Sequence, residues 1–88
     1  MKNIKKYFLP VDFIEKQSIY LPKNSEICSA RYYSDNSIML SVIVNPMESD
    51  MELRIFKLYT FDENIYDNNL NYVASFKEFP DYFLFEVV

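Results

Sequence analysis

Between Glu26 and Pro46 the chain reads EICSARYYSDNSIMLSVIVNP, two apolar runs on either side of a short polar break. This pattern predicts a long β-hairpin over residues 27–44, turning at Asp35 and Asn36, because Asp and Asn tolerate positive φ better than other side chains. The turn fixes a register in which Ser34 faces Ser37, Tyr33 faces Ile38, Tyr32 faces Met39 and Ile27 faces Val44. Period-two alternation then puts Ile27, Ser29, Arg31, Tyr33, Ile38, Leu40, Val42 and Val44 on one face, assigned to the core. Cys28, Ala30, Tyr32, Met39, Ser41 and Ile43 fall on the other. Neither face is polar, so the hairpin is expected in the middle of the molecule, covered on both sides by further elements or by a partner chain.

The remaining strands are shorter. Residues 2–9 predict a strand closed by Pro10, with Tyr7 and Leu9 on one side and Lys6 and Phe8 on the other. Residues 11–17 read equally as a helical turn or a wide loop. Residues 18–21 form a strand with Ile19 and Leu21 inward, and residues 22–25 turn into the hairpin. Pro46 ends the hairpin because it has no N–H to give a ladder. Residues 51–60 are a fifth strand whose alternation slips at Ile55-Phe56, which predicts a β-bulge there that re-aims the second half, the alternative being burial on both faces. Residues 61–70 are the longest loop. Residues 72–77 follow as a strand with Tyr72, Ala74 and Phe76 on one side. Pro80-Asp81 is a turn, and residues 82–88 are the last strand, with Phe83, Phe85 and Val87 inward. Removing residues 85–88 is expected to unfold the domain. Seven short strands with turns this frequent predict one all-β domain over residues 1–88, a small antiparallel β-sandwich or partly open barrel.

Composition narrows the chemistry. Half of the 88 residues are hydrophobic, with eight Tyr and eight Phe, which excludes a disordered chain. Histidine is absent, removing the usual proton shuttle and the commonest metal ligand. Glycine is absent too, which excludes the Gly-rich loops that cradle phosphates. The acidic stretches 48–52 and 62–67 read as solvated surface, since Glu48, Asp50 and Glu52 lack calcium-loop spacing. No catalytic residue, cofactor or metal site is therefore expected, and the chain is read as a non-enzyme. Cys28 is the only cysteine; it reads as a buried apolar residue in a reducing, cytoplasmic compartment. The net charge of −4 disfavours nucleic acid. The lysines of residues 1–6 give way to Asp12 and Glu15 without an apolar segment long enough for a signal peptide or a membrane span.

The features with most bearing on function are tyrosines. Neighbours along a strand point to opposite faces, so one ring of the Tyr32-Tyr33 pair must lie away from the core, and tyrosine is enriched where proteins meet. The competing explanation is cross-strand packing on Ile38 or Met39. Tyr32, Tyr33, Asp35 and Asn36 at the hairpin tip are the candidate contact residues.

The segments KKYFLP, SIYLPKNSEICSARYY, MLSVIVNP, RIFKLYTF, YVASF and FLFEVV, in this order, resemble a family of small bacteriophage and prophage proteins of unknown function, over nearly the whole chain. The chain departs from that pattern where the family tends to carry Gly, after the hairpin's Asn, near Tyr59-Thr60 and at Ala74, and it has Ser41 in place of an aromatic. The resemblance implies an all-β fold and a phage origin, and it transfers no functional residue. It leads to the expectation of an accessory protein acting by binding a host or phage protein, such as a host defence factor. The alternative is a homo-oligomer that sequesters a nucleotide signal, with Lys5, Lys6, Arg31, Arg54 and Lys57 as the cations on offer.

Overall fold

The computed structural model describes every residue except Asp35, Phe79 and Pro80. The described residues form seven strands and no helix: β1 (Asn3–Pro10), β2 (Gln17–Pro22), β3 (Glu26–Ser34), β4 (Ser37–Val44), β5 (Met51–Thr60), β6 (Leu70–Phe76) and β7 (Tyr82–Val87). They make two antiparallel sheets, one ordered β1-β4-β3 and the other β2-β5-β7-β6, which pack as a sandwich without closing into a barrel. Residues 11–16 take the wide-loop form, in which the Asp12 carboxylate accepts the Ile14 and Glu15 N–H groups at 2.8 and 3.0 Å. At the turn into β3, the Ser25 N–H bonds the Pro22 carbonyl at 3.2 Å. Asn24 there has φ 66°, so in a chain without glycine an asparagine supplies the left-handed residue.

The core is one interlayer cluster. The first sheet contributes Leu9 and the alternate residues Ile38, Leu40, Val42 and Val44 of β4; the second contributes Leu21, Phe56, Leu58, Phe76, Tyr82 and Leu84. Ile27, Ala30 and Tyr32 of β3 pack against its edge. Burying an aliphatic side chain of this size is worth about 1.5–3 kcal/mol each, so this row dominates the stability of the fold.

The hairpin register differs from the simple alternation in two places. Ser34 does pair with Ser37, but Tyr32 pairs with Ile38, Ala30 with Leu40, Ser29 with Ser41 and Ile27 with Val42, which leaves Tyr33 and Cys28 as extra residues. Each extra residue reverses the strand's parity. Between the two bulges Ala30 and Tyr32 therefore face the core, while Arg31 and Tyr33, expected inside, are exposed. The bulge also explains why Cys28, expected to be buried, is exposed. The Asp35 half of the expected turn lies outside the described residues. β4 is the covered strand and β3 an edge, so only half of the hairpin occupies the middle.

No bulge interrupts β5, which pairs continuously with β2 and β7 through Ile55 and Phe56. Its apparent slip has the other cause: Phe56, Lys57, Leu58 and Tyr59 are all buried, so both faces of the strand's second half are covered. β5 and β6 flank β7 and are both antiparallel to it, hence parallel to each other, so residues 61–69 must recross the sheet. Their side chains reach Lys57 and Tyr59 on the outer face, which locates the crossover there. In β6 a bulge at Val73 separates Tyr72, exposed, from Ala74 and Phe76, which face inward. In β7 it is Tyr82, Leu84 and Glu86 that are buried, and Phe83, Phe85 and Val87 face the outer side. The Pro80 half of the expected Pro80-Asp81 turn lies outside the described residues.

These assignments predict opposite responses from neighbouring residues. Ala30→Asp places a charge against the core and should cost roughly 2–3 kcal/mol, whereas Arg31→Asp on the open face should stay within about 0.5 kcal/mol. Urea unfolding of the two variants checks this, and equal losses would contradict the bulge at Cys28.

Candidate functional site

Where β1 runs off the edge of the core, its inward-facing residues change from Leu9, fully buried, to Tyr7, half-buried, and then Lys5, exposed. The sandwich opens at this side into a cleft of about 410 Å³. Asn3, Lys5 and Tyr7 form one wall, Pro22 and Met51 the other, and the β4–β5 connection closes the end with Glu48. That connection is held by its own hydrogen bonds: the Asn45 side-chain oxygen accepts the Met47 N–H at 3.0 Å, and Glu48 accepts the Asp50 N–H at 3.2 Å. A bond of 2.8 Å from the Lys23 N–H to the Asp50 carbonyl ties it to the turn after β2. The Lys5 ammonium stands 5.5 Å from the centre of the Tyr7 ring. The cleft thus offers a cation, an aromatic wall and apolar surface, with the Glu48 carboxylate at its closed end.

The hairpin-tip residues divide between two faces. Tyr32 is half-buried, with its ring edge-on to Tyr82 at 6.5 Å. Tyr33 is 61% exposed on the outer face of the first sheet, and its ring meets Phe8, itself 50% exposed, at 5.1 Å with an interplanar angle of 69°. Asn36 is exposed beside the Ser34–Ser37 hydroxyl contact of 3.0 Å, and Asp35 lies outside the described residues. Met39, opposite Phe8 in the ladder, is only 5% exposed although it sits on the outer face, because its neighbours close over it. Ile4, two rows away, is exposed. Phe8 and Ile4 complete a patch that the hairpin alone did not reveal, and their signal was the alternation of β1.

Of the five cations that an anionic ligand could use, two are consumed internally. Arg54 and Glu86 both point between the sheets, where the guanidinium meets the carboxylate with two nitrogens and donates to the Ser25 carbonyl at 2.9 Å. The Glu86 hydrogen bond, opposed by burial, is the main reason the Arg54 pKa is raised. Lys57 donates to the Phe13 and Leu58 carbonyls, both at 2.6 Å, and faces Glu63 at 3.6 Å. Lys6 and Arg31 belong to the outer face of the first sheet, opposite Ser41 and Met39. Lys5 alone of the five lines the cleft.

The crossover is fastened to the sheet by a polar relay: Tyr59 donates to Asp67 at 2.6 Å, and Lys16 reaches the other oxygen of the same carboxylate at 3.0 Å. Burial first, and then the hydrogen bond to Asp67, push the Tyr59 phenol up to about 12. The bond from Tyr59 and then that from Lys16 hold the Asp67 carboxyl below its ordinary value. Among the described residues no group of three or more His, Cys, Asp or Glu side chains could hold a metal ion, and no helix is long and apolar enough to cross a membrane.

Two measurements check these contacts. The unfolded chain loses the Tyr59 proton first, so stability carried by this phenol is intact below its ordinary pKa of 10.0 and is lost as pH rises towards about 12. Spectrophotometric titration should show a phenolate step near 12 that is absent from Tyr59→Phe. Glu86→Gln leaves the inward guanidinium to the Ser25 carbonyl and to Glu52 at 3.5 Å and should cost about 3 kcal/mol, much of it recovered in Arg54→Met with Glu86→Leu; denaturant midpoints of the three proteins decide this.

Residues 1–87 match the family described as a domain of unknown function, DUF7352, and the chain belongs to that family. Comparison with curated proteins and with solved structures gives no match.

Proposed function

We propose that this DUF7352 chain is a non-enzymatic accessory protein of phage origin that works by binding another protein, with a host defence factor as the foremost kind of target. The carrying observation is the outer face of the first sheet, where the exposed Phe8 and Tyr33 rings stand edge to face and Phe8 lies opposite the buried Met39. Rigid aromatic area with a polar tip, seated on a filled apolar base, is the composition from which interface hot spots are made. Arg31, on the same face, adds a side chain enriched at interfaces. The likeness of the segments from KKYFLP to FLFEVV to small phage proteins supports the origin. Sequestration of an anionic ligand is the weaker reading, since the cleft presents Lys5 while Arg54 and Lys57 are engaged inside the fold.

The test is affinity capture from host lysate with the wild type and a Phe8→Ser, Tyr33→Ser double variant. The variant should melt cooperatively and bind the captured protein roughly a hundredfold more weakly, as expected for the loss of hot-spot rings. A folded variant that keeps every partner would remove the patch from consideration. Native mass spectrometry showing a retained small molecule, with no protein captured, would favour sequestration.

A further inference from the structure

The first strand has one paired edge and one open edge. β1 pairs with β4 through all eight of its residues, without a bulge, and among the described residues no strand lies on its other side. The Val11 N–H donates to the Asn36 carbonyl at 3.0 Å, directly beyond the last pair of that ladder. Antiparallel pairs alternate between those that exchange hydrogen bonds and those that do not. Counting back from Val11, the residues bonded to β4 are Leu9, Tyr7, Lys5 and Asn3. The N–H and C=O groups of Ile4, Lys6 and Phe8 are thus directed away from the sheet. Pro10 falls on the same outward set, where its missing N–H costs no ladder bond.

The other edges are less able to receive a strand. β3 carries bulges at Cys28 and Tyr33, β6 carries one at Val73, and β2 is shorter, with Pro22 at its end. A bulge twists an edge and breaks its repeat. β1 alone combines length, unbroken alternation and a cleft beneath: Asn3, Lys5 and Tyr7, its inward side chains, line the 410 Å³ opening towards Pro22 and Met51. A strand laid along β1 would place every second side chain over that opening.

Charge selects the occupant. Residues 1–11 contain Lys2, Lys5 and Lys6 and no acidic residue, in a chain of net charge −4. Lys2 lies 3.8 Å from Glu26, whereas Lys5 leans over Tyr7 and lines the cleft, whose carboxylate, Glu48, accepts the Asp50 N–H at 3.2 Å. A second copy paired antiparallel about Lys5 or Lys6 would set that lysine directly against its own copy across the ladder, which is unfavourable.

We propose that the open edge of β1 accepts an extended acidic segment of a partner protein as an added strand, with carboxylates at its cleft-facing positions beside Lys5 and apolar residues at the alternate positions, which face the outer side beside Ile4. Main-chain hydrogen bonds to Ile4, Lys6 and Phe8 supply affinity, and the cleft supplies side-chain selection. This inference rests on the protein-binding reading and gives it a direction, because the added strand extends the same sheet whose outer face carries Phe8 and Tyr33.

The probes are two capped peptides, one alternating valine with glutamate and the other valine with lysine, titrated into the intact protein while amide exchange is followed by NMR. The acidic peptide should bind and slow exchange at Ile4, Lys6 and Phe8. Lys5→Glu should weaken it roughly tenfold. Lys6→Pro should abolish binding while the Tyr7 and Leu9 amides stay protected, showing that the ladder to β4 survives. Equal binding of both peptides, no binding of either, protection elsewhere, or concentration-dependent pairing of the protein through β1 would overturn the proposal. The Phe8→Ser, Tyr33→Ser variant separates the two ideas: it should still take up the acidic peptide, whereas loss of lysate capture in that variant alone concerns the outer face.

Discussion

The fold depends on a single row of aliphatic side chains. Ile38, Leu40, Val42 and Val44, on alternate positions of β4, are all nearly solvent-free and form the floor on which Phe56, Leu58 and Leu84 of the second sheet rest. Because β4 is paired on both sides, each of these residues loses water from above while its backbone loses water laterally, and its hydrogen bonds must all be made within the sheet. The strands beside it are constrained by that row. β3 meets it only by expelling Cys28 and Tyr33 from the ladder, and one of those expelled residues supplies the ring that the outer face presents.

Much of the strand order was legible in the sequence, for physical reasons. Prolines 10, 22 and 46 stand at or just beyond strand ends, and Asn and Asp mark reversals in a chain without glycine. Side-chain facing was harder to read. Bulges in β3 and β6 carry no residue that announces them, so counting by two misplaced Arg31, Tyr32 and Tyr33 in the hairpin and grouped Tyr72 with Ala74 and Phe76. In YFLFEVV both parities are apolar, and periodicity favoured Phe83 and Phe85 over Tyr82 and Leu84. Glu86 faces inward against its own hydropathy because Arg54 is waiting for it across the neighbouring strand.

The candidate surfaces were partly legible. Alternation assigned Tyr33 to the core face and Tyr32 to the other, and the structure exchanges them, giving Tyr32 to the edge of the core and Tyr33 to the outer face. The cleft beside β1 had no local signal, because its walls come from residues 3–7, 22 and 44–51, which only the stacking of the two sheets brings together. The cations divide in the same way: nothing near Arg54 or Lys57 in sequence shows that one is matched by Glu86 and the other by carbonyls at Phe13 and Leu58.

The position of β7 has a consequence for biosynthesis. Of the seven strands it is the last to be made, yet it lies between β5 and β6, so these two cannot be joined until residues 82–87 have left the ribosome. Until then Phe56 and Leu58 belong to a half-built layer whose middle is missing, and unpaired strands with exposed apolar rows are the species most prone to clump. Pairings this distant along the chain also make folding slow for its size. The hairpin of β3 and β4 needs no partner later in the chain than residue 44, so its pairing is available to the nascent protein well before that of β5 with β7.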